Sequence, residues 1–251
     1  MVERGGDLGP SENARPQGAG YFLRNISGED SDGVVEIFDA TGALADTMTL
    51  SEIESVVTCF TPGTVITTPQ GDRPVEELRE GDRIVTRDNG IQQIRWLGRR
   101  ALTGHDLARA PQMRPILIQR GALGDNLPEY DILVSPQHRL LLTSTKSQLY
   151  FEDREVLAAA KHLTGMPGID EVGTLGVTYI HFMFDQHEVV LANGAWSESF
   201  QPGTNVLRGM GAEQREEILR LFPELKSVQG VEDYAAARRS LKQHEARLLV
   251  R

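Results

Sequence analysis

Cys59 is the sole cysteine among 251 residues, and that isolation narrows what it can be. With no second thiol there is no internal disulfide and no cysteine-rich zinc site, which leaves a small buried hydrophobe or a nucleophile. A second group of candidates stands in Ser135-Pro136-Gln137-His138, a corner between the apolar runs DILV and RLLLT. An imidazole whose ordinary pKa is about 6.5 changes charge near neutral pH and could act as a general acid. A hydroxyl three residues ahead of it could hold a developing oxyanion or orient the ring. Taken singly, His138 reads as well as a structural histidine, and Ser135 as a turn residue bonding nearby backbone. His187 stands beside a turn in YIHFMFDQHEVVLANGAW, where an assisting histidine and a hydrogen-bonded strand residue are equally admissible. His105 and Asp106 are adjacent in a longer insert and read as a base, a metal ligand or an exposed polar loop. Cys59 with nearby histidines could also form a metal site, whereas His162, His181 and His244 take no role. Asn25-Ile26-Ser27 matches a glycosylation acceptor, a pattern too short to carry weight.

The segments that must position these residues are short and apolar, and they are cut by Gly, Pro and Asn, which is an all-β rhythm. TVITT and RIVTR are predicted strands, and Asn89-Gly90 is a predicted hairpin turn because both residues tolerate positive φ. RPILIQRGAL, DILV and RLLLT supply further strands, short helical turns fit FEDREVLAAAKHL, and Asp185-Gln186 separates two strands of which the last ends at Asn193-Gly194. Ahead of Cys59, YFLRNIS and GVVEIFDATGALADTMTL suggest a small β-rich unit over 21–58, behind a flexible leader over 1–20. Beyond about residue 200, GAEQREEILRLFPEL and VEDYAAARRSLKQHEARLLV carry apolar residues at helical spacing. They predict an amphipathic helical hairpin over 200–251 packed on the β domain, closed by Pro223 and divided at Gly230.

Composition excludes several classes of function. A net charge of −10 repels phosphate backbones, and no basic stripe reverses it, so nucleic-acid binding is disfavoured. No apolar run is long enough to span a bilayer, and the polar opening lacks the apolar core of a secretory signal. The expectation is therefore no membrane, with the chain cytoplasmic or secreted by a signal-independent route.

The block CFTPGTVITTPQGDRPVEELREGDRIVT resembles the opening of the Hedgehog/intein (Hint) family, in its bacterial branch, through Cys59, Thr64, Gly71, Val75, Leu78, Gly81 and Asp82. Ser135 and His138 match a second family block, a Thr-x-x-His corner, with one hydroxyl replacing another. His187, Asn193 and Gly194 match a third. The resemblance covers 59–199 and implies an all-β, pseudo-symmetric, horseshoe-like fold in which the blocks converge on the Thr58-Cys59 peptide bond. It implies that Cys59 attacks the Thr58 carbonyl to give a thioester, that His138 protonates the departing nitrogen, and that Ser135 serves the carbonyl or the imidazole. A histidine at the place of His187 assists the C-terminal half of the family's reaction. An amide is a poor electrophile and a thiol of pKa about 8.5 a modest nucleophile, so the groups must act together.

Two departures narrow the expectation. Inteins finish by cyclising an Asn preceded by His, and this chain has Glu198 and Ser199 there. Serine cannot form the succinimide, so splicing is not expected. Hedgehog-type domains activate a sterol with an Asp, and this chain has Gly98. What is expected is a single-turnover, self-cleaving cysteine-dependent domain that needs no cofactor and no metal. Its substrate would be its own N-terminal segment, with water or an external nucleophile as acceptor. The alternative is a catalytically silent interaction or secretion-associated module on the same fold.

Overall fold

The computed structural model describes residues 20–25, 33–38, 44–50 and 58–250, and the chain divides into two compact units, Met1–Ser55 and Val56–Arg251. The leader expected over 1–20 lies, but for Gly20, outside the described residues. In the first unit β1 (Gly20–Asn25), β2 (Gly33–Phe38) and β3 (Leu44–Leu50) form an antiparallel sheet in the order β1-β2-β3.

The second unit is mostly strand. Its chain order runs β4 (Val65–Thr68), β5 (Gly71–Pro74), β6 (Arg83–Val85), β7 (Ile91–Gln93), β8 (Trp96–Thr103) and α1 (Gly104–Arg109). β9 (Ile116–Ile118), β10 (Ile132–Val134), β11 (Arg139–Thr143), α2 (Thr145–Phe151), β12 (Glu155–Ala159) and β13 (Ile169–Glu171) follow. β14 (Gly176–Met183), β15 (Val189–Ala192) and β16 (Ala195–Glu198) complete the β region. The tail holds α3 (Thr204–Gly209), α4 (Ala212–Leu221), α5 (Val228–Asp233), β17 (Ser240–Leu241) and α6 (Gln243–Val250). The largest sheet has the order β17-β12-β11-β16-β15-β4-β5, and it is accompanied by β10-β9-β13 and by the pairs β14-β8 and β6-β7.

Turn chemistry sets much of this path. Gly90, at φ +66°, closes the β6–β7 hairpin, with the Thr86 N–H donating to its carbonyl at 2.7 Å. Asn193 and Gly194 have φ +46° and +79°, which suits a two-residue hairpin loop. The chain therefore does not stop at this turn, as the apolar pattern suggested, but doubles back as β16. Asn193 is buried, and its side chain accepts from the Val65 N–H at 2.8 Å and donates to the Asp131 carbonyl at 2.9 Å. One turn residue thus ties β4 to the approach of β10.

Two expectations hold in part: FEDREVLAAAKHL keeps one helical turn, at Ala160–His162, and the tail is helical as expected but more divided. EVLAA is not helical: Val156, Leu157 and Ala158 are wholly buried, and the segment pairs antiparallel with β11 and parallel with β17. Neighbours on both edges outweigh the local helix preference of Ala and Leu. The tail is not a simple helical hairpin but four short helices and a strand. Gly230 lies within α5, where a Cβ would run into the Glu224 carbonyl; close backbone approach, not helix termination, explains the glycine. Pro223 does follow α4 directly and opens a single 3-10 turn.

Two apolar clusters result. One gathers Phe60, Ile66, Ile84, Val134, Ile180 and Phe182 between the sheets. The other joins Cys59, Trp96, Tyr179 and Met183 to the tail residues Leu207, Met210, Ile218, Phe222 and Tyr234. Asn193→Ala strands the Val65 N–H and the Asp131 carbonyl, each worth about 1–3 kcal/mol if left unsatisfied. Urea unfolding should show a loss of about 2–4 kcal/mol for this variant, and a smaller loss for Asn193→Asp, which keeps the acceptor.

Candidate active site

Phe60 fixes the segment that carries the cysteine. Its N–H donates to the Ile180 carbonyl at 2.8 Å and its carbonyl accepts from the Ile180 N–H at 2.9 Å, while a further bridge joins it to Val134. One residue earlier, Ser135 meets Cys59 twice. The Ser135 N–H donates to the Cys59 carbonyl at 3.0 Å, and the Cys59 N–H donates to the Ser135 hydroxyl at 2.9 Å. The hydroxyl therefore lies on the nitrogen of the Thr58-Cys59 amide. Pro136 biases Ser135 toward extended backbone, and the His138 N–H closes the corner on the Ser135 carbonyl at 3.0 Å.

The sulfur has a partner that the sequence did not single out. Cys59 Sγ is 3.2 Å from Nδ1 of His181. Alternation along β14 sends Ile180 and Phe182 into one apolar cluster and Tyr179 and Met183 into the other, beside Cys59, and His181 shares the latter face. It stands opposite Gly98 of β8, where a Cβ would strike both the imidazole Nε2 and the Trp96 ring. The absent side chain at 98 is what leaves room for the imidazole beside the thiol. Trp96 and Phe200 flank the ring at 5.0 and 5.5 Å between centroids. From α4, the Glu217 carboxylate accepts from the Trp96 indole N–H at 2.9 Å.

Burial governs the electrostatics of this pair. Cys59 is 2% exposed, and desolvation pushes its thiol well up, only partly offset by the Ser135 hydroxyl and the charge of Arg100. His181 is pushed down to about 3 by burial and by Arg100. Both shifts penalise charge, so the resting contact is between a neutral thiol and a neutral imidazole, not a thiolate–imidazolium pair.

His138 occupies a second buried site. Its ring lies against Phe60, 4.4 Å between centroids, its Nε2 makes a short hydrogen bond with the Ser197 hydroxyl, and its Nδ1 has no hydrogen-bond partner. Burial lowers it to about 4, with Arg139 and His187 adding to the effect and Glu198 opposing it. His187 is held apart from the thiol in a charged cluster. Its Nδ1 accepts from the Ala237 N–H at 2.9 Å, and its Nε2 approaches Glu198 Oε2 at 3.2 Å, without the alignment of a hydrogen bond. Burial would raise the Glu198 carboxyl, but Arg139, 2.6 Å away, and His187 outweigh it and hold the group low. Ser199 accepts from the Glu188 N–H at 2.9 Å.

Ser135 and His181 thus contact Cys59 directly, His138 packs on the neighbouring Phe60, and His187 lies apart against Glu198. His105 and Asp106 fall in the first turn of α1, where Asp106 and Thr103 form a reciprocal capping box; helix initiation accounts for the carboxylate. Among the described residues no group of three or more His, Cys, Asp or Glu side chains is placed to hold a metal ion, and no helix is long and apolar enough to cross a membrane.

A family model described as the Hint domain matches residues 58–204. The chain belongs to the Hint domain family. Its mostly β fold is that of the family, and the family is one of autoprocessing domains. The gp41-1 intein crystal structure is similar at 12% identity and a TM-score of 0.35, covering 56% of this chain and 97% of that one. The solution structure of a bacterial intein-like domain from Clostridium thermocellum gives 11% and 0.32, with coverage of 56% and 97%. A DnaB intein from Synechocystis gives 13% and 0.34, with 57% and 98%. Among curated proteins none matches.

The histidines of this Hint domain carry a cost in acid. His138 and His181 titrate at about 4 and about 3 in the fold but at about 6.5 when unfolded. Between those values the unfolded chain binds more protons, so stability is full above about pH 6.5 and falls as the pH drops, by about 1.4 kcal/mol per pH unit for each histidine. Urea midpoints from pH 7 to 4.5 should record this fall, and His181→Gln should make it roughly half as steep.

Proposed function

We propose that this Hint domain cleaves the peptide bond between Thr58 and Cys59 through a thioester, without splicing. The observation that carries the reading is the Cys59 amide hydrogen-bonded to Ser135 while the sulfur of the same residue contacts an imidazole. As Sγ attacks the Thr58 carbonyl carbon, the thiol proton passes to His181 Nδ1 and a tetrahedral centre forms. When the C–N bond breaks, the same proton moves from His181 to the departing Cys59 nitrogen, so no net proton enters or leaves. The Ser135 hydroxyl accepts the Cys59 N–H before and after and keeps the nitrogen in place.

His138 then has a different task from the general acid that the sequence pattern implies. With a pKa pushed down to about 4, its ring is neutral at pH 7 and holds no spare proton, but a neutral imidazole still polarises by donating a hydrogen bond. His187, Glu198 and Arg139 form the fixed backing of this ring. Water or an added nucleophile resolves the thioester, releasing the segment that ends at Thr58. Ligation is not expected, because Ser199 cannot cyclise and its hydroxyl already receives the Glu188 N–H.

The competing reading is a silent module on the same fold, and the near-complete burial of a neutral thiol favours it. The test is intact mass of the full chain incubated with saturating hydroxylamine. Cleavage at Thr58-Cys59 should be absent in Cys59→Ala and slowed by about 10²–10⁴ in His181→Gln. A wild type indistinguishable from Cys59→Ala would establish the silent module. Because the proton acceptor is a histidine that burial holds far below the roughly 6.5 of a free imidazole, the cleavage rate should be nearly flat between about pH 5.5 and 8. A free thiol of pKa about 8.5 would instead give nearly tenfold per pH unit.

A further inference from the structure

We propose that Glu217 is a positioning residue for the cleavage reaction: from the tail helix α4 it fixes the ring of Trp96, and through that ring the imidazole that takes the Cys59 proton. The proposal rests on the self-cleavage reading, and it extends the reacting unit beyond the family-matched span 58–204 into the tail. It starts from what His181 lacks. The Nδ1 of this ring meets the sulfur at 3.2 Å, but its Nε2 has no hydrogen-bond partner among the described residues. A catalytic base is ordinarily oriented by a hydrogen bond at its second nitrogen. Here two aromatic rings, those of Trp96 and Phe200, take that place.

Trp96 is the nearer of the two rings and is wholly buried. The Cβ that Gly98 lacks would strike both its ring and His181 Nε2, so indole and imidazole meet over the same bare Cα, and a shift of one displaces the other. The indole has a single polar atom, Nε1, which can only donate, and an ionised carboxylate can only accept. The bond from Trp96 Nε1 to Glu217 Oε2, at 2.9 Å, therefore has one possible direction. Among the described residues the other ring packed on the indole besides His181 is Phe200, 5.8 Å away between centroids, which holds it without a polar contact. Glu217 is thus the polar tether that selects one rotation of the ring, since turning Nε1 away strands a buried N–H. Two further contacts fix the carboxylate itself. Gln214, one turn earlier in α4, donates from Nε2 to the Arg99 carbonyl at 3.1 Å, and Ile218 is wholly buried in the apolar cluster of Cys59 and Trp96. A spacing of three residues puts Gln214 and Glu217 side by side on the helix, and they grip β8 at positions 99 and 96, on either side of Gly98.

In the full chain, Glu217→Met keeps the length of the side chain and removes the acceptor. It should lower the cleavage rate at saturating hydroxylamine by about 10–10²-fold, with little change in the hydroxylamine concentration that gives half that rate. Glu217→Gln, which retains an acceptor oxygen, should keep most of the activity. Glu216→Met removes the same charge from the exposed neighbour on α4 and should leave the rate unchanged. Ring position is read separately, by NMR on the full chain carrying Cys59→Ala, with signals assigned by their loss in Trp96→Phe and His181→Gln. The parent should show a nuclear Overhauser contact between the Trp96 indole and His181 ring protons, and adding Glu217→Met should shift the His181 ring signals, whereas adding Glu217→Gln should not. Absence of that contact in the parent overturns the proposal without any variant at 217 having to fold. Unchanged His181 signals in folded Glu217→Met overturn it as well, and so does a loss of rate no greater than that of Glu216→Met. A wild type that never cleaves would remove the self-cleavage reading, and the His181 signals would then decide alone whether Glu217 places the ring.

Discussion

The paired hydrogen bonds between Cys59 and Ser135 are the constraint on which the site depends. They splice an irregular segment onto the end of β10 as if it were one more strand, and Phe60 extends the pairing to β14. Cys59 is therefore as firmly placed as the core beside it. A nucleophile on a loose segment would lose more in orientation than any neighbouring group could return. Here the backbone itself supplies the orientation, and the side chains are left to handle protons.

That arrangement comes with a tension between burial and reactivity. The apolar cluster that encloses Cys59 removes water from the thiol and both histidines, which suppresses charge on all three. The same exclusion strengthens each remaining dipole around the bond. If the domain cleaves as proposed, proton movement there would have to be concerted with bond formation, because separated charge is disfavoured in such a site. Among the described residues Arg100 is the cation that acts on the thiol, in the direction that lowers its pKa.

Much of this was legible in the residues. The Cys59 block, the Ser135–His138 corner and the Asn89-Gly90 turn carry short-range signals whose geometry is nearly dictated by chemistry, and the structure realises the fold they imply. His181 was passed over because its meaning is long-range: it becomes a partner of Cys59 only when β14 pairs with β8 and a glycine stands opposite. The clue was present in the alternation of Tyr179, His181 and Met183 and in Gly98, which had been read as a missing Asp when it is also a made space. The strand Glu155–Ala159 was misread for the same kind of reason, since its residues favour a helix until two other strands claim both of its edges. Ser197 carried no local signal at all, because a serine in a strand looks ordinary until its burial and its single partner are known.

The small strand β17 has a consequence that its two residues do not advertise. It lies parallel along β12, with the Leu157 N–H donating to the Arg239 carbonyl, and so occupies a border of the main sheet that would otherwise present unpaired backbone groups to other molecules. At the opposite border β5 is short and ends in Pro74, a residue that cannot donate to an incoming strand. The sheet is thereby sealed against pairing with further copies at both ends, and neither seal belongs to the segment that cleavage would remove. A chain ending at residue 238 would keep the tail residues packed with Cys59 yet open the β12 edge to other strands.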